Sequence, residues 1–171
     1  MSRAHEAGPQ HIREALYKKI YAAVPIFCVD VVAEDPKGNF LIVRRRNEPA
    51  RGKWWVPGGR VLKNEPLRRA AVRKLKEETG IAGRFERTIG LYEFFAQRGP
   101  FVGIRAHTPI AVCLVCIAGK GRVRLDRQSG EFRWVMAPVR GMHRDLAGII
   151  RRRHRKAETW NVKKVSNPKS E

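Results

Sequence analysis

Cysteine is scarce, with three in 171 residues. An odd number this small excludes a disulfide framework. Cys113 and Cys116 have the spacing of a metal-binding pair, but they fall in an apolar run, residues 110–117, that reads as a strand. Residues three apart on a strand point to opposite faces, so the pair cannot chelate one ion together. Long apolar runs are missing as well, and none approaches the roughly 20 residues needed to cross a bilayer. Residues 1–10 are polar and hold no apolar stretch of signal-peptide type. Both absences lead us to expect a cytoplasmic protein without membrane contact. Acidic side chains are few, 16 against 36 Lys and Arg, for a net charge of +20. Such an excess draws phosphorylated molecules and favours non-specific nucleic-acid contact, although a solvated basic surface accounts for most of it.

The apolar fraction of 43% and charged fraction of 30% are ordinary for a globular chain. We expect a flexible N-terminus over residues 1–9, one domain over 10–156 and a basic C-terminal tail over 157–171. Residues 10–23 read as a helix, with Ile12, Leu16, Ile20 and Ala23 on one apolar face. Residues 24–33 and 40–43 read as strands of a hairpin around the Asp35–Asn39 turn. Residues 44–60 form a long basic loop rich in Pro and Gly, a length that is often functional. Asn64 then serves as N-cap of a helix that runs to Thr79 and stops at Gly80. Strands follow near 88–96, 110–117, 122–125 and 131–136, and a last helix over 142–156. Mixed strands with helices at the start, middle and end predict an α/β sandwich around a mixed sheet.

The chemistry concentrates in residues 58–81, GGRVLKNEPLRRAAVRKLKEETGI. A glycine turn leads into a helix that carries carboxylates at its start and end. Glu77 and Glu78 are about 100° apart around that helix. Arg73 lies one turn before Glu77 and can fix its carboxylate, and Lys74 lies one turn before Glu78. Leu67, Ala70, Ala71 and Leu75 form the stripe that seats the helix. Mg²⁺ takes oxygen ligands and keeps several waters, so one or two carboxylates plus substrate phosphates suffice. The carbonyl of Gly58 or Gly59 offers a further oxygen. Together these residues suit metal-assisted cleavage of a diphosphate.

This segment resembles the Nudix box. Gly59, Glu65, Arg73, Leu75, Glu77, Glu78, Gly80 and Ile81 fall in register with its pattern, and Lys74 stands where the family has a glutamate. The resemblance implies the Nudix α/β/α sandwich and a hydrolase using Mg²⁺, with Mn²⁺ as an alternative ion. It implies metal binding by Glu78, and by Glu77 either as ligand or as a base acting through water, with Glu65 structural. Lys74 replaces an expected carboxylate with a cation, which favours one ion over several.

The stretch 44–61, RRRNEPARGKWWVPGGRV, and residues 126–134, DRQSGEFRW, are similar to the branch typified by GDP-mannose mannosyl hydrolase. That similarity implies a nucleotide-sugar substrate such as GDP-mannose, and metal ligation by the Gly58 carbonyl and Gln128 beside Glu78. It places Asp30, Arg45 and Arg60 at positions for base recognition or for stabilising the diphosphate. Planar guanidinium groups suit that task, although Arg45 also reads as a solvated strand end. Trp55 or Trp54 would stack on a base or sugar, or pack. The branch's catalytic histidine falls on Ser129, which cannot serve as a base near neutral pH. Glu77, Glu93 and His107 are the remaining base candidates, and attack at phosphorus or weak catalysis are the alternatives.

A rival reading is a scaffold that binds RNA or a ribonucleoprotein through Arg151, Arg152, Arg153, His154, Arg155 and Lys156, with Lys163, Lys164 and Lys169 beyond. A basic run at a helix end also complements the helix dipole. The N-terminal helix offers a surface for a homodimer.

Overall fold

In the computed structural model the described residues are 12–119 and 121–154. The proposed termini, and the basic positions from Arg155 onward, lie outside them.

Seven strands form one mixed sheet. β1 (Cys28–Glu34) and β2 (Phe40–Arg45) make an antiparallel hairpin, with Glu34 opposite Phe40. The turn forms because Asp35 Oδ1 accepts the backbone N–H groups of Lys37 (2.9 Å) and Asn39 (2.8 Å). Two short strands, β3 (Trp54–Trp55) and β4 (Gly58–Arg60), pair with β2 and β1 respectively. α2 (Leu67–Thr79) follows, then β5 (Arg84–Ala96), β6 (Ala106–Cys116) and β7 (Ser129–Val135). β6 runs parallel to β1, aligning Cys28 with Ile110, and antiparallel to β5, while β7 closes onto β2. α1 (Glu14–Ala23) and α3 (Arg144–Arg151) lie at the two ends of the described chain.

Helices cover both faces of the sheet, which explains why β1 and β6 read as continuous apolar runs. Val29, Val31, Ala33, Ala111, Cys113 and Val115 point to one side, where Ala70, Ala71 and Leu75 of α2 pack on them. Val32, Ile110, Val112 and Leu114 point to the other, against Leu146, Ile149 and Ile150 of α3. The arrangement is the expected α/β/α sandwich. Cys113 is fully buried, whereas Cys116 lies on the opposite face beside Glu86, as strand alternation requires.

Several boundaries differ from the sequence expectation, each for a local reason. Residues 24–27 are not strand: Val24 and Phe27 stay exposed, and regular pairing starts only where Cys28 meets Ile110 and Arg60. The long loop over 44–60 contains β3 and β4. Asn64 does not cap α2. It adopts a left-handed conformation (φ 63°) in a turn where Glu65 accepts the N–H of Leu62, and Pro66 precedes the first helical residue. Residues 122–125 do not form a strand; Arg124 and Asp126 instead donate N–H bonds to the carbonyls of Thr79 and Glu78, closing the C-terminal end of α2. Gly80 completes that end in the left-handed conformation, φ 72°. α3 is shorter than the expected 142–156 within the described residues.

The apolar face expected on α1 does not seat the helix. None of its residues is buried and Leu16 is 54% exposed. Contact is made instead by Tyr17 and Tyr21, whose rings meet Phe101 edge-on at 5.7 and 5.9 Å. The helix walls a cavity rather than sealing a core.

Candidate functional site

A cavity of about 670 Å³ opens between α1, the glycine turn of β4 and the second half of α2, which contributes Arg73, Lys74 and Glu77. Asp30, Arg45, Trp55, Gly58, Arg60, Arg73, Glu77 and Gln128, all singled out by sequence, line it together. Glu78, the remaining one, does not. It is 6% exposed and sits behind Lys74, which lines the cavity in its place.

The carboxylates at the end of α2 are held by a dense set of bonds. Glu78 Oε2 accepts the N–H of Gly58 (3.1 Å), and Glu78 Oε1 lies 2.9 Å from the Lys74 ammonium. Lys74 also reaches Glu77 Oε2 at 3.3 Å. Burial raises the pKa of Glu78, and the ammonium opposes that rise. Burial also pulls Lys74 downward, but Glu78 and Glu77 outweigh it and keep the amine charged.

Arg73 is the hub of the second layer. Its guanidinium donates to both oxygens of Glu65 (2.6 and 2.7 Å), to Glu77 (3.1 and 3.2 Å) and to the Arg60 carbonyl (3.1 Å). The expected Arg73–Glu77 pair therefore exists, but the stronger partner is Glu65, whose pKa the guanidinium lowers. Arg73 thus ties the start of α2, its end and the β4 strand into one unit.

The floor is Asp30, 4% exposed. Its Oδ2 accepts Trp55 Nε1 (2.9 Å) and the Tyr92 hydroxyl (2.7 Å). Burial pushes its pKa up to about 7, against the two hydrogen bonds and Arg45. Trp55 is thereby a packed residue with a fixed polar tip, buried against Phe94 as well as lining the cavity. Gly58 must be glycine: a Cβ there would meet Asp30 Oδ1 at 2.7 Å and the Val29 carbonyl more closely still.

The arginines are poised differently. Arg45 donates to the Pro49 carbonyl (2.8 Å), and Arg60 lies 4.7 Å over the Tyr17 ring. Trp54 lies outside the cavity, under Arg133. Ser129 is buried and paired with Arg45 across β2 and β7. Glu93 and His107 bond to each other at 3.0 Å on an exposed part of β5 and β6 and do not line the cavity. The basic run behind α3 is not one face either. Arg153 turns inward, pairing with Glu34 and donating to the Gly38 carbonyl.

Two tyrosines lining the cavity and a third beneath its floor escaped the sequence reading. Tyr17 and Tyr21 face the cavity from α1, and their i, i+4 spacing was the available signal. Tyr92 was hidden because only the fold brings it to Asp30.

Among the described residues no three acidic, His or Cys side chains cluster to cage a metal ion. The oxygen donors fit a single hard cation held partly by substrate: Glu77, the Gly58 carbonyl and Gln128 at the wall, with Glu78 behind. Lys74 stands between the two carboxylates.

Comparison with known proteins agrees with this geometry. A NUDIX domain family model matches residues 25–138. The chain is 34% identical over 127 residues to the low-salt glycan biosynthesis protein Agl8 of Haloferax volcanii, covering 74% of this chain and 81% of that protein. It is 33% identical over 109 residues to an ADP-ribose pyrophosphatase of Methanocaldococcus jannaschii, covering 63% of this chain and 61% of that one. Among solved structures, the MutT protein of Methanosarcina mazei Go1 superposes with a TM-score of 0.63 at 25% identity, covering 78% of this chain and 99% of that one. The matched segment holds the glycine turn, α2 and the sheet that carries them, so the chain belongs to the NUDIX domain family, and membership supports a hydrolase activity on nucleoside diphosphate compounds.

Proposed function

We propose that this protein is a Mg²⁺-dependent hydrolase of a nucleoside diphosphate joined to a second moiety, a nucleotide sugar such as GDP-mannose. The observation that carries this reading is the cavity itself. It is lined by charged and polar side chains, Glu77, Arg45, Arg60 and Gln128, and by aromatic ones, Tyr17, Tyr21 and Phe94. A diphosphate suits the first and a base or sugar face the second. Two of the relatives carry names that concern glycan biosynthesis and ADP-ribose, which supports a diphosphate bearing a sugar.

Glu77, Gly58 and Gln128, with Glu78 behind them, would hold the ion. A Mg²⁺ ion held there would supply Lewis-acid stabilisation of phosphoryl charge and make a nearby water more acidic. Arg45 and Arg60 orient the diphosphate and neutralise charge on the departing phosphate. Glu77 is the base candidate that lines the cavity, where Arg73 and Lys74 fix its carboxylate. It takes the proton of the attacking water, whose oxygen bonds to phosphorus as the bridging P–O bond breaks. The products are a nucleoside monophosphate and a sugar phosphate. Attack at the sugar carbon lacks support, because Ser129 replaces the branch's histidine and is buried.

Incubation with Mg²⁺ and a panel containing GDP-mannose, other nucleotide sugars and ADP-ribose tests the proposal. Products are read by ³¹P NMR in ¹⁸O-water. Label on a phosphate is expected, and Glu77→Gln should lower kcat by about a hundredfold or more. Absence of turnover on every compound by folded, ion-loaded protein refutes the reading.

A further inference from the structure

The Nudix box departs from its pattern at one position, and the structure shows what the departing side chain does. Lys74 is 11% exposed, its Nζ lies 2.9 Å from Glu78 Oε1 and 3.3 Å from Glu77 Oε2, and its side chain faces the cavity. Among the described residues nothing else bridges these two carboxylates. The methylenes nearest the ammonium are packed too, since a Cβ on Gly59 would meet Lys74 Cε at 2.7 Å. The amine therefore has little freedom to swing away.

We infer that the Lys74 ammonium is a tethered cation occupying the place of a second divalent ion between Glu77 and Glu78, so that the centre takes one ion where a glutamate at this position would allow two.

The charge balance leads to this assignment. A glutamate at position 74 would give three neighbouring carboxylates, enough to offset more than one divalent charge. With lysine the three side chains carry a single net negative charge, and the neighbouring Arg73 and Glu65 cancel each other. A second dication would have to enter against a fixed ammonium within about one ion diameter, a repulsion that strengthens as the site dries. The ammonium itself supplies positive charge to a bound diphosphate without depending on ion concentration. Lysine suits this as a compact point charge with rotatable donors.

The inference rests on the hydrolase reading for its place in catalysis, but its test does not. Metal-free protein is titrated with Mn²⁺ alone and free ion is counted by EPR, with the Glu77→Gln/Glu78→Gln double variant as background. Wild type should bind one ion above that background, and Lys74→Glu two. Lys74→Met removes the competitor without adding a ligand and should bind one ion about tenfold more tightly than wild type. It also keeps the test decisive if the glutamate variant fails to fold by circular dichroism. Two ions in wild type, an unchanged count in folded Lys74→Glu, or unchanged affinity in Lys74→Met would each overturn the assignment. If wild type binds a single ion as expected and no substrate turns over, the hydrolase reading fails and the tethered cation stands.

Discussion

Replacing Asp30 with asparagine isolates the charge on the cavity floor. Both hydrogen bonds to this side chain end on Oδ2, one from Trp55 and one from Tyr92. An amide oxygen can accept both, so the variant keeps the geometry and loses only the ionisation. Burial moves the Asp30 pKa from 3.8 to about 7, with Glu78 adding to the rise and Tyr92, Trp55 and Arg45 opposing it. The folded chain therefore binds a proton that the unfolded chain has already released between about pH 4 and 7. Stability attributable to this group falls as pH rises through that window and is level on either side. A shift of about three units corresponds to on the order of 4 kcal/mol, a large share of the 5–15 kcal/mol typical of a domain.

The assay is urea unfolding of wild type and Asp30→Asn at pH 5 and pH 8, in EDTA so that no divalent ion binds either form. The difference in unfolding free energy should move in favour of the variant by several kcal/mol between the two pH values. A difference independent of pH would show that Asp30 ionises freely in the fold, and that the burial argument for this cavity is wrong.

Three further substitutions probe the supports of the site. Arg73→Met leaves the half-buried Glu65 without its guanidinium and Glu77 with Lys74 alone, and should lower stability by about 1–2 kcal/mol in urea titration. Gly58→Ala drives a methyl group into Asp30 and the Val29 carbonyl; we expect a loss of about 1–3 kcal/mol and impaired activity as β4 shifts from β1. His143 lies 5.4 Å from Tyr92 and 5.3 Å from Phe94 with its Nδ1 buried and unbonded, so His143→Phe should raise the melting temperature, consistent with a gain of about 1 kcal/mol. Burial lowers the His143 pKa, so the unfolded chain takes up its proton first as pH falls below about 6.5. Wild type then loses stability on acidification and the phenylalanine variant does not share that loss, so its advantage should widen toward acid pH.

What could be read from sequence followed from what is local. The α2 stripe of Leu67, Ala70, Ala71 and Leu75, the left-handed stop at Gly80 and the Asp35 turn each depend on residues within a few positions, and all three formed as expected. The errors fell where a distant group competes for a local one. Asn64 looked like a cap, but Arg73 drew Glu65 into a turn that forces Asn64 left-handed. Residues 122–125 read as a strand, yet the Arg124 N–H goes to the end of α2 rather than to a neighbouring strand. The aliphatic residues of α1 fitted a helical face, but the helix borders a cavity and uses tyrosines. The site shows the same division. The resemblance to the box singled out Glu77 and Glu78, and the longer similarity Arg45 and Arg60, but neither told which carboxylate would face the cavity. That depends on one side chain, Lys74, whose length lets it span both glutamates and cover Glu78. The sequence already showed a carboxylate replaced by a cation; the fold adds that this cation covers Glu78, so the chemistry of this chain must be judged with that amine in place.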